Sequence, residues 1–422
     1  MSERYKKTIF NTIMLYILSF AKIIFPLVLL PYLTRVLSVE CYGAVSYVKS
    51  VIAYAQIAID FGFILSSVKD IVKANKEKKC ISEIISDTIL AKLILSVVAF
   101  VVILVVSFAI PLLREYRLFL ILSFGVPFLS SFLLDFLFRG IEKMHIVSII
   151  YVFMKTISTI LTILFVKGDQ MIILIPVLDM ISSVCAIVLT WVIAIKMGYR
   201  LVASNMLKAF NKIKDSTLYF ANSVASTAFG ALNTVLIGIF IKDLEHVAYW
   251  SVSMQLVGAV QTMYTPISNG IYPYMIKKKD LSLIKKVILI FMPVVFGGIV
   301  FCYFFSPQIL TIISGKKYVD ATGIFRLLLP ILAFSFPVAI LGWPTLGAID
   351  KVKQINIATL SGACIQITGL FLLILFDEFN LITVAIVRNI SEIVMFSVLV
   401  FFVIKFKSLF NSKNEVVINE NI

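Results

Sequence analysis

Charged side chains occur inside segments that are otherwise apolar and long enough to cross a membrane. The stretch YGAVSYVKSVIAYAQIAIDFGFILS, residues 42–66, contains Lys49, Gln56 and Asp60. A lysine or aspartate at the centre of a membrane helix costs about 2.5–3.5 kcal/mol on insertion scales, so such residues usually face a protein interior or a water-filled cavity. We therefore interpret these side chains as candidate functional groups.

The candidate site combines several cations with anions and neutral polar groups. Because lysines that line a cavity would attract an anion, we expect the cations of the apolar segments to bind substrate. Asp60 and Asp179 are either salt-bridge partners of the lysines or carriers of a coupling proton or ion, and the sequence leaves both interpretations open. The cations are Lys22, Lys49, Lys92, Lys155 and Arg388, and the other candidates are Asp60, Asp179, Gln56, Asn222 and Asn233. Two further anions of the apolar segments are Asp135 and Glu392.

Helical geometry predicts that part of this set shares one face. Lys49 precedes Gln56 by 7 positions and Asp60 by 11. At 100° per residue, the three side chains fall within about 40° of one another. Since a polar stripe cannot face lipid, this spacing predicts a water-filled cavity shared between the two halves of the protein.

Four of these charges also have a structural interpretation. Lys92 lies near a helix end and can extend its ammonium group to the membrane interface. Asp135 is close to Arg139 in the sequence, and Arg388 and Glu392 are spaced i, i+4, so each pair can neutralise itself.

Composition assigns the chain to the membrane proteins. Hydrophobic residues occupy 60% of its 422 positions, well above their share in soluble domains. The five cysteines are scattered and only two histidines are present, so no disulfide framework, metal site or cofactor is predicted. No catalytic residue is predicted either, because the short loops leave no room for an extramembrane catalytic domain.

Twelve membrane helices are predicted, with both termini in the cytoplasm. Loops and termini on one side contain 25 Lys and Arg residues and those on the other side contain eight, and the positive side faces the cytoplasm. The net charge of +15 is then an orientation signal that also suits anionic lipid head groups, and nucleic acid is not an expected partner. The apolar N-terminal stretch is expected to be a retained first span. The predicted spans are 9–31, 42–66, 84–110, 117–138, 147–166, 171–197, 216–241, 247–276, 287–313, 323–349, 356–376 and 380–404.

An internal similarity predicts two halves. Residues 39–56, VECYGAVSYVKSVIAYAQ, align with residues 244–261, LEHVAYWSVSMQLVGAVQ, at an offset of 205. Parallel repeats of this kind are typical of transporters that open to each side in turn. The predicted domains are a six-helix lobe at 1–197, a cytoplasmic linker at 198–215, a second six-helix lobe at 216–404 and a cytoplasmic tail at 405–422.

Three segments resemble the Wzx-type O-antigen flippases and related polysaccharide exporters of the MOP superfamily. Residues 31–63, PYLTRVLSVECYGAVSYVKSVIAYAQIAIDFGF, are similar to the start of these proteins, above all in the YG and DFGF motifs. DFLFRGIEKMHIVSI at 135–149 and IYPYMIKKK at 271–279 are further matches. The resemblance implies an all-α integral membrane protein with about twelve transmembrane helices in two six-helix, MATE-like lobes.

The resemblance also implies a cargo and a location. The cargo would be undecaprenyl-pyrophosphate-linked oligosaccharide, moved by alternating access from the cytoplasmic to the periplasmic leaflet of the bacterial inner membrane. Membrane lipids, a polymerase and a chain-length regulator are the further partners expected.

A MATE-like multidrug or cation antiporter is the first alternative, although a cationic cargo would favour a more acidic cavity. A membrane glycosyltransferase or polymerase is the enzyme alternative, and the short loops count against it.

Overall fold

Helices account for nearly all of the structure. The computed structural model describes residues 3–74, 77–227 and 229–410, and no strand occurs in these ranges. Residues 411–422 of the predicted tail and the side chain of Asn222 lie outside the described residues. The all-α fold predicted from the apolar segments is confirmed.

The first compact unit comprises Met1–Ala248. It contains both long and short helices. In chain order its helices are α1 (Glu3–Val36), α2 (Val39–Asp60), α3 (Phe63–Lys73), α4 (Lys78–Ala109), α5 (Pro111–Glu115), α6 (Arg117–Ser130), α7 (Asp135–Gly140), α8 (Met144–Phe165), α9 (Leu174–Lys196), α10 (Met206–Thr227) and α11 (Ala231–Phe240).

The second compact unit comprises Tyr249–Ile422. The chain enters it within α12 (Leu244–Thr262). The remaining helices are α13 (Tyr264–Lys278), α14 (Leu281–Phe304), α15 (Ser306–Ser314), α16 (Thr322–Leu328), α17 (Pro330–Ile340), α18 (Val352–Leu375) and α19 (Leu381–Lys405), and a π-helical segment, Leu341–Leu346, follows α17.

Ten stretches among the described residues are long and apolar enough to cross a membrane. They correspond to ten of the twelve predicted spans. The other two predicted spans, 216–241 and 247–276, are each divided into two helices, α10 with α11 and α12 with α13. A total of twelve spans and the cytoplasmic location of the termini therefore stay predictions.

The chain divides into compact units at Ala248, whereas the sequence predicts a boundary at residues 198–215. The reason is that α10 packs against α2, α3 and α4, and α11 packs against α2. These contacts make both helices part of the first unit. The division into two six-helix lobes stays a prediction.

The predicted linker is fastened to the start of α4. The Val202 amide donates to Ser86 Oγ at 2.8 Å, and Ser204 Oγ donates to Asp87 Oδ1 at 2.5 Å. Lys212, which is 8% exposed, forms an ion pair with Asp70 of α3. The segment is therefore bound to the first unit along much of its length.

The two halves of the sequence repeat both begin with a capped helix. Ser38 Oγ accepts a hydrogen bond from the Cys41 amide at the start of α2, at 3.1 Å. Asp243 Oδ1 accepts one from the Glu245 amide at the start of α12, at 2.9 Å. Each side chain satisfies a backbone donor that has no partner within its own helix. The two caps are separated by the offset that the sequence repeat predicts.

Helix α2 ends at Asp60 because the next two residues leave the right-handed helical region. Phe61 has φ 39° and Gly62 has φ 75°. A Cβ atom at Gly62 would also lie 2.4 Å from the Cβ of Tyr219, so glycine is required there for two reasons. Phe61 stacks on Phe220 with 4.2 Å between ring centroids. The predicted span 42–66 is therefore two helices, and the DFGF motif marks the break.

Gly43 permits a close approach between helices. A Cβ atom at Gly43 would lie 1.9 Å from the carbonyl oxygen of Leu244, the first residue of α12. Because that oxygen belongs to the backbone, it cannot rotate away from a larger side chain. The YG motif thus places a buried tyrosine, Tyr42, directly before the point of closest approach.

Gly43→Ala should lower the melting temperature of the detergent-solubilised protein, because the methyl group must displace backbone at a cost of about 1–3 kcal/mol. Size-exclusion chromatography after heating measures this temperature. Gly258→Ala in α12 is the matched control, since a Cβ atom there meets no heavy atom within 4 Å and alanine favours a helix by about 0.5–1 kcal/mol. Equal melting temperatures for Gly43→Ala and wild type would contradict the close approach.

Candidate functional site

A cavity of about 350 Å³ lies within the first unit and is lined mainly by α1, α2, α4, α6, α8 and α9. Its wall includes Gln56 and brings together six of the nine intramembrane charges. They are Lys22, Asp60, Lys92, Asp135, Lys155 and Asp179.

Asp60 is held by two side chains. Lys92 Nζ donates to Asp60 Oδ1 at 2.9 Å, and Gln56 Nε2 donates to Oδ2 at 2.7 Å. Gln56 also donates to Ser130 Oγ at 3.0 Å. Lys92 is only 4% exposed. The idea that Lys92 extends to the membrane interface is therefore wrong, because a carboxylate satisfies its charge inside the protein.

A second ion pair joins α8 to α9. Lys155 Nζ and Ser158 Oγ both donate to Asp179 Oδ1, each at 2.6 Å. Lys155 is 26% exposed and Asp179 is 25% exposed, so this pair is accessible from the cavity. Lys49 of α2 is exposed, and the charges that act on it are those of Asp179 and Lys155. Lys49 makes no ion pair within 4 Å with a described residue. It is not among the residues that line the cavity, although the sequence predicts it there.

Lys22 enters the cavity from α1. Its side chain is exposed, and its Nζ lies 5.7 Å from the centroid of the Tyr151 ring. The face of an aromatic ring attracts a cation without neutralising it. Within the part of the chain that the structure describes, Lys22 makes no ion pair at 4 Å or less. Its charge is therefore available to the cavity.

Asp135 is surrounded by cations at longer range. Arg139, Lys92 and Lys22 all act on it electrostatically. Asp135 nevertheless makes no ion pair within 4 Å among residues 3–74, 77–227 and 229–410. The direct Asp135–Arg139 pair expected from the sequence is therefore not formed.

The lysines of the site fall into two classes. Lys92 and Lys155 are each neutralised by an aspartate at hydrogen-bond distance, whereas Lys22 and Lys49 are not. An ammonium group has three donors and no acceptor, so Lys22 and Lys49 can donate to the oxygens of an anion. The cavity lining holds three lysines and three aspartates, so the site has an excess of positive charge only when Lys49 is counted with it.

Arg388 and Glu392 lie in the second unit, on α19. Arg388 Nη2 is 2.8 Å from Glu392 Oε2, and the two side chains are 5% and 3% exposed. The neighbouring Ser391 donates to Gln366 Oε1 at 2.8 Å. The structural interpretation of this i, i+4 pair is confirmed. A role of Arg388 in substrate binding stays a prediction.

The two predicted asparagines belong to α10 and α11. Asn233 is fully buried and its Nδ2 donates to the Phe229 carbonyl oxygen at 3.2 Å. It does not line the cavity. Asn222 falls within α10, but its side chain is outside the described residues.

The polar residues of the site that are not among those predicted include Tyr151, Ser158 and Ser130. Tyr151 precedes Lys155 by four residues and Ser158 follows it by three, so the three share one face of α8. That spacing is a usable sequence signal. Ser130 has no local signal, because its partner Gln56 is 74 residues away in the chain.

Residues 9–279 match the family described as "Polysaccharide biosynthesis protein". Two curated relatives are candidate O-antigen transporters. The protein from Shigella dysenteriae is 26% identical over 317 residues, which cover 73% of this chain and 78% of the relative. The protein from Escherichia coli strain K12 is 23% identical over 281 residues, which cover 66% of this chain and 68% of the relative.

Two solved structures share the fold. An inward-facing multidrug resistance MATE family transporter of the MOP superfamily gives a TM-score of 0.67 at 14% identity, over 96% of this chain and 100% of that one. The lipid II flippase MurJ, in an inward closed conformation, gives a TM-score of 0.72 at 15% identity, over 94% of this chain and 87% of that one. The MATE-like fold predicted from the sequence is confirmed.

The match to the family covers well over half of the chain. The family, the relatives and the fold are those of multi-pass membrane transporters rather than enzymes. The resemblance to the Wzx-type exporters of the MOP superfamily is thereby confirmed, and the chain belongs to the polysaccharide biosynthesis protein family.

Proposed function

We propose that this protein is a flippase. It moves undecaprenyl-pyrophosphate-linked O-antigen oligosaccharide from the cytoplasmic to the periplasmic leaflet of the bacterial inner membrane by alternating access. The observation that carries the proposal is the availability of two lysines that make no ion pair within 4 Å in the described part of the chain. Lys22 lines the cavity of the first unit, and Lys49 lies within the field of the Lys155–Asp179 pair in the cavity wall. The names of the two relatives support the cargo.

The chemistry of this cargo explains what the protein must supply. Its pyrophosphate and glycan cannot enter hydrocarbon, because an isolated charge or an unpaired polar group is very costly there. The isoprenoid tail is already soluble in lipid. The protein therefore needs to enclose only the head, and cationic donors in a polar cavity meet that need.

The aspartates act as counterions that the pyrophosphate replaces. Asp179 neutralises Lys155 before cargo binds, and Lys49 lies within the field of the same pair. A phosphate oxygen bound by Lys49 can then take the place of the carboxylate at Lys155. Each lysine then keeps an oxygen partner throughout, and the released Asp179 carboxylate keeps the hydrogen bond from Ser158 and its exposure to the cavity.

Lysine suits a site that must also release its ligand. An ammonium group is a point charge on a flexible stem and does not grip phosphate in the bidentate geometry of arginine. Outward movement of an anion is also favoured by an inside-negative membrane potential, by about 2.3 kcal/mol per charge per 100 mV. Asp60 and Asp179 are the candidates for a coupling proton or ion.

The charge count supports cytoplasmic termini. A polymerase and a chain-length regulator are the proposed partners that act on the cargo after its release. Undecaprenyl-linked cargo also requires the bacterial inner membrane as the location.

Lys22→Ala and Lys49→Ala should each remove most surface O-antigen from a strain that depends on this gene, because each variant loses donors to pyrophosphate. Arginine at either position should restore part of it, since the charge is kept and the geometry changes. Gel electrophoresis of surface polysaccharide, normalised to the amount of protein in the membrane, measures the effect. Lys69→Ala, at an exposed lysine of α3 that does not line the cavity, is the matched control.

Full complementation by both alanine variants at normal protein level would refute the cationic site. Resistance of an overexpressing strain to cationic drugs, without translocation of lipid-linked oligosaccharide in proteoliposomes, would instead support the multidrug antiporter.

The counterion idea is tested by removing both members of a pair. Lys155→Met alone should destabilise the protein, because Asp179 loses its neutralising partner in a partly buried site. The double variant Lys155→Met/Asp179→Asn should recover the melting temperature but not the transport of cargo into proteoliposomes. Lys212→Met/Asp70→Asn, which removes a Lys–Asp pair that does not line the cavity, should keep transport. Wild-type transport by the first double variant would show that its pair is only structural.

A further inference from the structure

We propose that a groove in the second unit binds one acyl chain of an anionic phospholipid, with the lipid phosphate held between Lys285 and Lys407. This site is separate from the proposed cargo site and takes a different ligand. Its cavity measures about 440 Å³.

The groove lies between α14 and α19. Both helices pack against α17, but they make few direct contacts with each other. Pro337 and Leu341 form the floor of the gap that remains. Helices α14 and α19 thus form the walls of the groove, and α17 closes its inner side.

The floor is bent in a way that keeps the groove open. Pro337 lies inside α17, where it cannot donate the usual backbone hydrogen bond. The π-helical segment then begins at Leu341, and Gly342 leaves the helical range with ψ −107°. Proline and π-helical turns are the common causes of helix bends. The bend therefore has an identifiable origin in the sequence.

The residues that line the groove complement a lipid better than a protein partner. Ten of the twelve lining residues are apolar, and the other two are Lys285 and Lys407. Both lysines are exposed, and neither side chain makes an ion pair or hydrogen bond with a described residue. Lys285 lies near the start of α14 and Lys407 lies just after the end of α19, so both charges are at the same end of the groove. One apolar chain with one anionic head complements this distribution.

The length of the groove matches one leaflet. Phe396 lines it eleven residues from Lys407, which corresponds to about 16 Å along a helix. Half of the hydrocarbon core of a bilayer is about 15 Å thick. An acyl chain of a phospholipid spans this depth, whereas a polyprenyl chain is much longer. The charge count assigns this end of the groove to the cytoplasmic face, where basic pockets between helices bind anionic head groups.

The test is a lipid titration of the purified full-length protein in detergent, followed by native mass spectrometry. Phosphatidylglycerol is the anionic probe and phosphatidylcholine is the neutral one. Lys285→Ala/Lys407→Ala should weaken the first phosphatidylglycerol binding at least about fivefold and leave phosphatidylcholine unchanged. Ile288→Trp, which fills the groove with both lysines present, should weaken the same binding event.

Lys286→Ala/Lys405→Ala is the matched control. These lysines lie one and two positions from the proposed pair in the sequence, are also exposed, and do not line the groove. The control should bind phosphatidylglycerol as wild type does. Equal weakening by both lysine pairs would overturn the proposal in favour of general surface attraction. Two other results would also overturn it. Preferential, lysine-dependent binding of undecaprenyl phosphate, added as a third probe, would assign the groove to the tail of the cargo. Loss of a dimer mass in Ile288→Trp would assign the groove to a second copy of the chain.

Discussion

The cost of placing a charge in hydrocarbon governs the construction of the first unit. Lys92 and Lys155 have carboxylate partners, and Lys22 opens into the cavity. Buried ion pairs are poor stabilisers, since desolvation offsets most of the Coulomb attraction and apolar residues of similar volume often do as well. Stability therefore does not account for two such pairs in one cavity. Both pairs lie near lysines that have no carboxylate within 4 Å, which is the arrangement on which the proposed anion-binding site rests.

The second unit meets the same constraint in another way. Arg388 and Glu392 neutralise each other one helical turn apart, and both are almost completely buried. Lys285 and Lys407 remain at the helix ends, where an ammonium group can stay in contact with water or head groups. The Arg388–Glu392 pair of the second unit is thus almost completely buried, whereas six intramembrane charges of the first unit line a cavity.

Features that depend on local spacing were predictable from the sequence. Gln56 and Asp60 are four residues apart, and their hydrogen bond within α2 follows from helical geometry. Ten spans follow from hydropathy alone. The partner of Asp60 was not predictable, because Lys92 is 32 residues away on a different helix. The sequence also does not predict that the spans 216–241 and 247–276 are each divided into two helices. Average hydropathy does not register a local change of backbone direction.

The attachment of residues 198–215 to α4 bears on how such genes can recombine. A crossover in this segment between diverged relatives would combine the backbone donor of Val202 with a foreign acceptor at position 86. The same crossover would separate Lys212 from its native Asp70. A crossover near Ala248 keeps these partners together. Natural recombinants should therefore inherit α10 and α11 together with the preceding helices. Segments that can be exchanged between relatives should begin after α11 rather than within residues 198–215.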